Sequence, residues 1–319
     1  MKKLSITLVF ITLLSLPLSA AIITVDNNPG SVAMFTDTAA AYNSAATDDI
    51  ILVAGSTSNY SNINSYKRLT WIGVGYFLGP NGIPGLNTNP AKFNITFKND
   101  STNGNSSGST YIGIQGAINS DASANNLTID KCRSGGFNWR FDGSVTITRC
   151  YIENVVQLFA ANSSISNCIV SDLRLEVANT TADYCNVVSK VSNVASSSIS
   201  NTIFQVTNAG NWDGNASFSY CLNIGAGFLP DGGGNINNVL LAQVLVASGS
   251  SDGYYQLSEG SLAAGAGLNM SDMGAFGGSS PYVLSGVPGI PRITRFSVPS
   301  TATGLTALEF EVEAESFAE

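Results

Sequence analysis

The chain has 319 residues, 44% of them hydrophobic and 11% charged, with a formal net charge of −8. That length suits one or two domains, and the acidity excludes the Lys/Arg footprint that nucleic acid or an anionic membrane surface requires. There is no histidine, which removes the Ser-His-Asp triad, imidazole metal sites and every histidine base.

Lys2 and Lys3 precede an apolar run from Leu4 to Leu18, and the small residues Ser19-Ala20-Ala21 follow. This is the pattern of a secretory signal. At about 15 residues the run is shorter than the ~20 needed to cross a bilayer. The expected signal is 1–21, which leaves an exported chain with no membrane span. Ile22–Val25 reads as a strand and Asn27-Asn28-Pro29-Gly30 as a turn. Residues 35–46 place Phe35, Ala39, Tyr42 and Ala46 on one helical stripe. Ile50–Ala54 and Arg68–Val74 read as further strands.

From about residue 92 the chain repeats one phrase. Its blocks are LTIDKC (127–132), VTITRC (145–150), SSISNC (163–168), TTADYC (180–185), SSISNT (197–202) and ASFSYC (216–221). Their last positions are 17 to 19 residues apart. FNITF (93–97) and YIGIQ (111–115) read as irregular precursors. A fixed period of this size marks a solenoid whose repeats stack on their neighbours. It leaves no room for a helix in each repeat.

Within the phrase the third position is mostly large and apolar: Ile129, Ile147, Ile165, Ala182, Ile199 and Phe218. The second and fourth positions carry Thr, Ser or Asp. This is the period of two expected of a strand. Strict alternation would turn the fifth residue inward, which is implausible for Lys131 and Arg149. A one-residue bend there sends the fifth residue outward and brings the sixth back inside to start the next strand. Asn, at positions 167 and 201, tolerates the left-handed backbone such a bend needs.

The repeats resemble a right-handed parallel β-helix of the pectin-lyase-like superfamily, an all-β solenoid. Members often begin with a strand, a helix over the open end of the coil and a motif like Lys67–Gly75, KRLTWIGVG. Gly253–Gly278, GYYQLSEGSLAAGAGLNMSDMGAFGG, is similar to the final coil of secreted bacterial β-helix repeat proteins, with Leu262-Ala263 where Pro is usual. The resemblance covers about residues 22–280. It implies an N-terminal capping helix and a solenoid over 22–278. Residues 279–319 hold Pro281, Pro288, Pro291 and Pro299 and read as a linker or extended wrap. Leu308–Ala314, LEFEVEA, alternates as one exposed strand.

The cysteines, Cys132, Cys150, Cys168, Cys185 and Cys221, all fall at the sixth position, with Thr202 filling the gap. Stacked α-carbons lie within disulfide range, but parallel side chains suit neither a disulfide nor a tetrahedral metal site. They read as a ladder of small buried residues, with no metal. The Ser/Thr columns read as a solvated face. Charges concentrate between 130 and 176. A polysaccharide lyase would place Ca²⁺-binding carboxylates and an Arg or Lys base there, with Asp130, Lys131 and Arg149 as the candidates. Trp139 and Phe137 are candidates for stacking on sugar. The glycoside hydrolase relatives would show paired Asp and Gly-His-Gly, and that match fails without histidine.

The expected function is an exported, secreted or cell-surface β-helix protein, non-catalytic and monomeric, that binds polysaccharide or cell-surface glycan. The alternative is a polysaccharide lyase or glycoside hydrolase with a degenerate site. No cofactor is expected, save Ca²⁺ under the lyase alternative.

Overall fold

A computed structural model describes residues 20–82, 87–192, 196–206, 216–297 and 311–315. Apart from Ala20 and Ala21, the expected signal lies outside the described residues. The chain forms a parallel β-solenoid of about ten turns. Among the described residues its two main sheets have ten strands each, with every neighbouring pair parallel. The first, here the phrase sheet, runs in chain order from Ile22–Val25 and Ile50–Val53 through Thr70–Ile72 and Thr110–Ile112. Leu127–Asp130, Val145–Thr148, Ser164–Ser166, Thr181–Asp183, Ser198–Ser200 and Ser217–Ser219 complete it. The second runs from Ile63–Ser65 to Ile236–Val239.

The phrase supplies the register. Ile129, Ile147, Ile165, Ala182 and Ile199 stack as strand partners and are buried. Thr128, Thr146, Ser164, Thr181, Ser198 and Ser217 stack on the outer side. All six fifth-position residues (Lys131, Arg149, Asn167, Tyr184, Asn201 and Tyr220) adopt φ between 47° and 53°. The bend is therefore left-handed in every copy, and Lys, Arg and Tyr bear its strain. Each fifth-position N–H still bonds to the adjacent turn, as from Arg149 to the Ser166 carbonyl at 3.1 Å. Of the two precursors, only Thr110–Ile112 belongs to the phrase sheet. Ile95–Phe97, inside FNITF, lies in the second sheet.

The helix is Thr38–Ser44, and it contacts the first strands of both sheets. Its buried residues are Thr38 and Ala41, with Ala45 just beyond, flanked by half-buried Phe35, Ala39 and Tyr42. Ala46, placed on the stripe by periodicity, is exposed because the helix has already ended. Asp37 caps the N-terminus by accepting the Ala39 N–H at 3.0 Å. Lys67 closes the other end, its Nζ donating to the carbonyls of Tyr42 and Ala45 at 2.8 and 2.7 Å. At the far end of the solenoid, Val244, Leu245, Ala263 and Met273 cover the last strands.

The outward turn of the fifth residue needs correction. Lys131, Asn167 and Asn201 are 1%, 5% and 2% exposed. The bend does point them away from the coil, but a C-terminal strap lies over that corner. The strap runs back against the stacking direction. Leu268 N–H donates to Asn201 Oδ1 at 2.8 Å, and Asn167 Nδ2 donates to the Ala275 and Gly277 carbonyls at 3.1 and 2.8 Å. Tyr282 Oη pairs with Tyr76 Oη at 2.7 Å. Burial pushes both phenols well above the ordinary range, so they pair as neutral groups.

Close packing continues after residue 278, where Tyr282 and Val287 are buried. Asp252, fully buried, fastens the strap: it accepts from Asn81, Ser250, Tyr282 and the backbone N–H groups of Gly253 and Ser285. Beyond the strap, Arg292–Ser297 pairs antiparallel with Glu311–Glu315.

Candidate functional site

The charged corner is the first place to look. Strand pairing sets Asp130 beside Thr148, which puts Lys131 and Arg149 on adjacent turns. Arg149 donates to Asp130 through Nε and Nη2, both at 2.8 Å, and Thr148 Oγ1 adds a third bond at 2.8 Å. The pair is largely buried, with side-chain exposures of 14% and 8%. The same arrangement recurs without an ion pair. Asp183 accepts from Ser200 and Asn201 of the following turn, each at 2.8 Å. Asp130 and Asp183 therefore join successive turns. Lys131 is buried beneath the strap, with its carbonyl close against Gly286. The structure brings the three residues together but turns no open face of them to solvent.

The sixth-position column is a hydrogen-bonded ladder. All five thiols are free and buried. Cys132 N–H donates to Cys150 Sγ at 3.3 Å, and Cys150 N–H to Cys168 Sγ at 3.2 Å. Further along, Cys185 N–H donates to Thr202 Oγ1 at 3.3 Å. Asn235 Oδ1 ends the series by accepting from Cys221 at 3.0 Å. Each thiol also donates to the carbonyl two residues earlier, and Thr202 Oγ1 does the same at 2.7 Å. The bend would leave these N–H groups without a carbonyl, and the side chain replaces it. This is why a small side chain with both a donor and an acceptor occupies every copy, which apolar packing alone does not demand. Burial raises the thiols of Cys132 and Cys168 well above the ordinary range and pushes Cys185 and Cys221 up to about 12.

The two aromatic candidates separate. Trp139 is fully buried, and its indole N–H donates to the Gly116 carbonyl at 3.0 Å. It packs inside the coil and offers no face to a ligand. Phe137 is 49% exposed. The turn that carries it contains Gly135 and Gly136 at φ +59° and +86°, a conformation glycine adopts without strain.

Phe137 borders a groove of about 190 Å³ lined also by Asn59, Asn62, Lys92, Asn94 and Gln115. Three of the amides spend their oxygens on the protein. Asn62 Oδ1 accepts from Asn94 N–H at 3.0 Å, Asn94 Oδ1 from Ala117 N–H at 2.8 Å, and Gln115 Oε1 from Arg133 Nη1 at 3.2 Å. Their NH₂ groups remain, together with the Lys92 ammonium. The groove is thus rich in donors beside an open aromatic ring, and it suits a ligand rich in oxygen acceptors.

Sequence reasoning found Phe137 but missed the amides. Their signal was the Asn-Ile pair at 62–63 and 94–95, where Ile63 and Ile95 are strand partners. An intervening loop stretches that step to 32 residues, which takes it out of the 18-residue period. Among the described residues, no helix is long and apolar enough to cross a membrane. No family model, curated protein or solved structure matches the chain.

Proposed function

We propose that this chain is an exported, non-catalytic solenoid that binds polysaccharide or cell-surface glycan in the groove beside Phe137. The observation that carries the reading is the pairing of an exposed aromatic ring with amide NH₂ groups whose oxygens are already engaged. Sugar hydroxyls accept from such donors, and a pyranose face packs on an aromatic ring. Lys2 and Lys3 before the apolar run support export. The similarity of Lys67–Gly75 and Gly253–Gly278 to secreted β-helix repeat proteins agrees with it. The lyase alternative draws its base from Lys131 or Arg149, and the burial of the first and the ion pair of the second count against it.

The test is glycan-array binding by the chain from Ile22 onward, followed by calorimetry on whatever is retained. Phe137→Ala is expected to weaken binding about tenfold, the ordinary cost of truncating an aromatic contact, with thermal stability unchanged. Retention of no glycan, or full affinity in both Phe137→Ala and Asn94→Ala, overturns the reading. Release of unsaturated sugars that Arg149→Ala abolishes in a folded protein would install the lyase instead.

A further inference from the structure

A second cavity lies on the same outer face. It measures about 180 Å³ and is lined by Tyr151, Glu153, Ile169, Ser171, Val188 and Tyr255. Gln115, Arg133 and Tyr151 pair on successive turns, and Tyr151 pairs with Ile169 on the next. Gln115 lines the first groove and Tyr151 the second cavity. The two therefore lie along one column parallel to the solenoid axis. At ~4.8 Å per turn, Gln115 and Tyr151 are ~10 Å apart.

Between the two cavities the charge is neutralised. Arg133 pairs with Glu153 and also donates to the Gln115 amide oxygen, while the Phe77 ring centroid lies 4.1 Å from its guanidinium. The second cavity is aromatic like the first groove: Tyr151 and Tyr255 have ring centroids 6.4 Å apart and both are half-buried. Burial raises both phenols above their ordinary range, so both stay neutral in the cavity.

We infer that the groove and this cavity are the two ends of one binding track, made for a linear glycan that lies along the solenoid axis and reaches from Phe137 to Tyr255. The inference rests on the glycan-binding reading above. It adds a minimum ligand length, a direction, and a role for the strap, because Tyr255 comes from the C-terminal segment and closes a site otherwise built by the solenoid. Two contacts on one ligand raise affinity only when the ligand spans both.

The experiment is calorimetry with a graded oligosaccharide series cut from the retained polysaccharide, starting at the disaccharide. Affinity is expected to step up at least tenfold at the length that reaches the second cavity. Tyr255→Ala should erase the step and leave disaccharide affinity unchanged, whereas Phe137→Ala weakens every length. Tyr255→Leu keeps the cluster apolar and serves if the alanine variant does not fold. Affinity that is flat with length, or an equal loss at all lengths in the Tyr255 variants, sinks the track and leaves the groove standing. Absence of binding at every length sinks both.

Discussion

The corner at Asp130 and the groove at Phe137 draw on neighbouring stretches of sequence, yet they dispose of their polar atoms in opposite ways. At the corner, charge meets charge: Arg149 and Thr148 fill the Asp130 carboxylate. In the groove, Asn62, Asn94 and Gln115 give their oxygens to the protein and leave their NH₂ groups over. The corner looks more like chemistry when read as a sequence, because ionised residues are conspicuous. The groove looks like ordinary polar surface. What sets the groove apart as the proposed binding site is unspent hydrogen-bonding capacity, and residue type alone does not disclose that.

Substitutions test the contrast. Asp130→Ala should have the largest effect. It leaves Arg149 largely buried without its carboxylate, at a cost of about 3–5 kcal/mol, measurable by urea unfolding, while glycan affinity in the folded fraction stays as it was. Affinity lost alongside intact stability would move the site to the corner.

Asn167→Ala comes next. It removes two bonds to strap carbonyls and puts a Cβ-bearing residue without a polar side chain at φ 50°, for about 2–3 kcal/mol. Asn167→Gly should recover about 1 kcal/mol of that through relief of the backbone alone. Equal losses in the two variants would mean the bend carries no strain.

The smallest effect belongs to the ladder. Cys185→Val removes the thiol's bond to the Asp183 carbonyl and should cost about 1–2 kcal/mol, whereas Cys185→Thr copies Thr202 and should be close to neutral. The same pair separates in alkali. Burial raises Cys185 from an ordinary value near 9 to about 12. Its contribution to stability is therefore complete below pH 9 and is lost as pH rises toward 12, because the unfolded thiol ionises first. Cys185→Thr should flatten that decline in pH-dependent melts. An unchanged alkaline slope would remove the thiol from the account.

The solenoid was legible because its instructions are local. Alternation sets which side chains enter the coil, and a fixed step sets which residues stack. The bend at Asn167 and Asn201 could be read even where Lys131 or Tyr184 takes the same place. Three things escaped for want of a period. The strap is written once, and its partners on the corner lie far away in sequence. The groove draws on residues from 59 to 137 across turns of unequal length. The burial of Trp139 depends on strand register: Trp139 and Phe141 point inward while Arg140 between them is exposed.

Tyr76 and Tyr282 are 206 residues apart and share one hydrogen bond. A bare stack of turns behaves as a one-dimensional array in which the end units fray independently and folding can start anywhere. The strap adds contacts of very high sequence separation to that array, fastened by Asp252 at one point and by Asn167 and Asn201 at others. It couples early turns to the last part of the chain, so fraying at Tyr76 must also release Tyr282. Such contacts slow folding, because the early turns are not fully locked until the strap reaches them. Once it does, the stack should unfold as one cooperative unit.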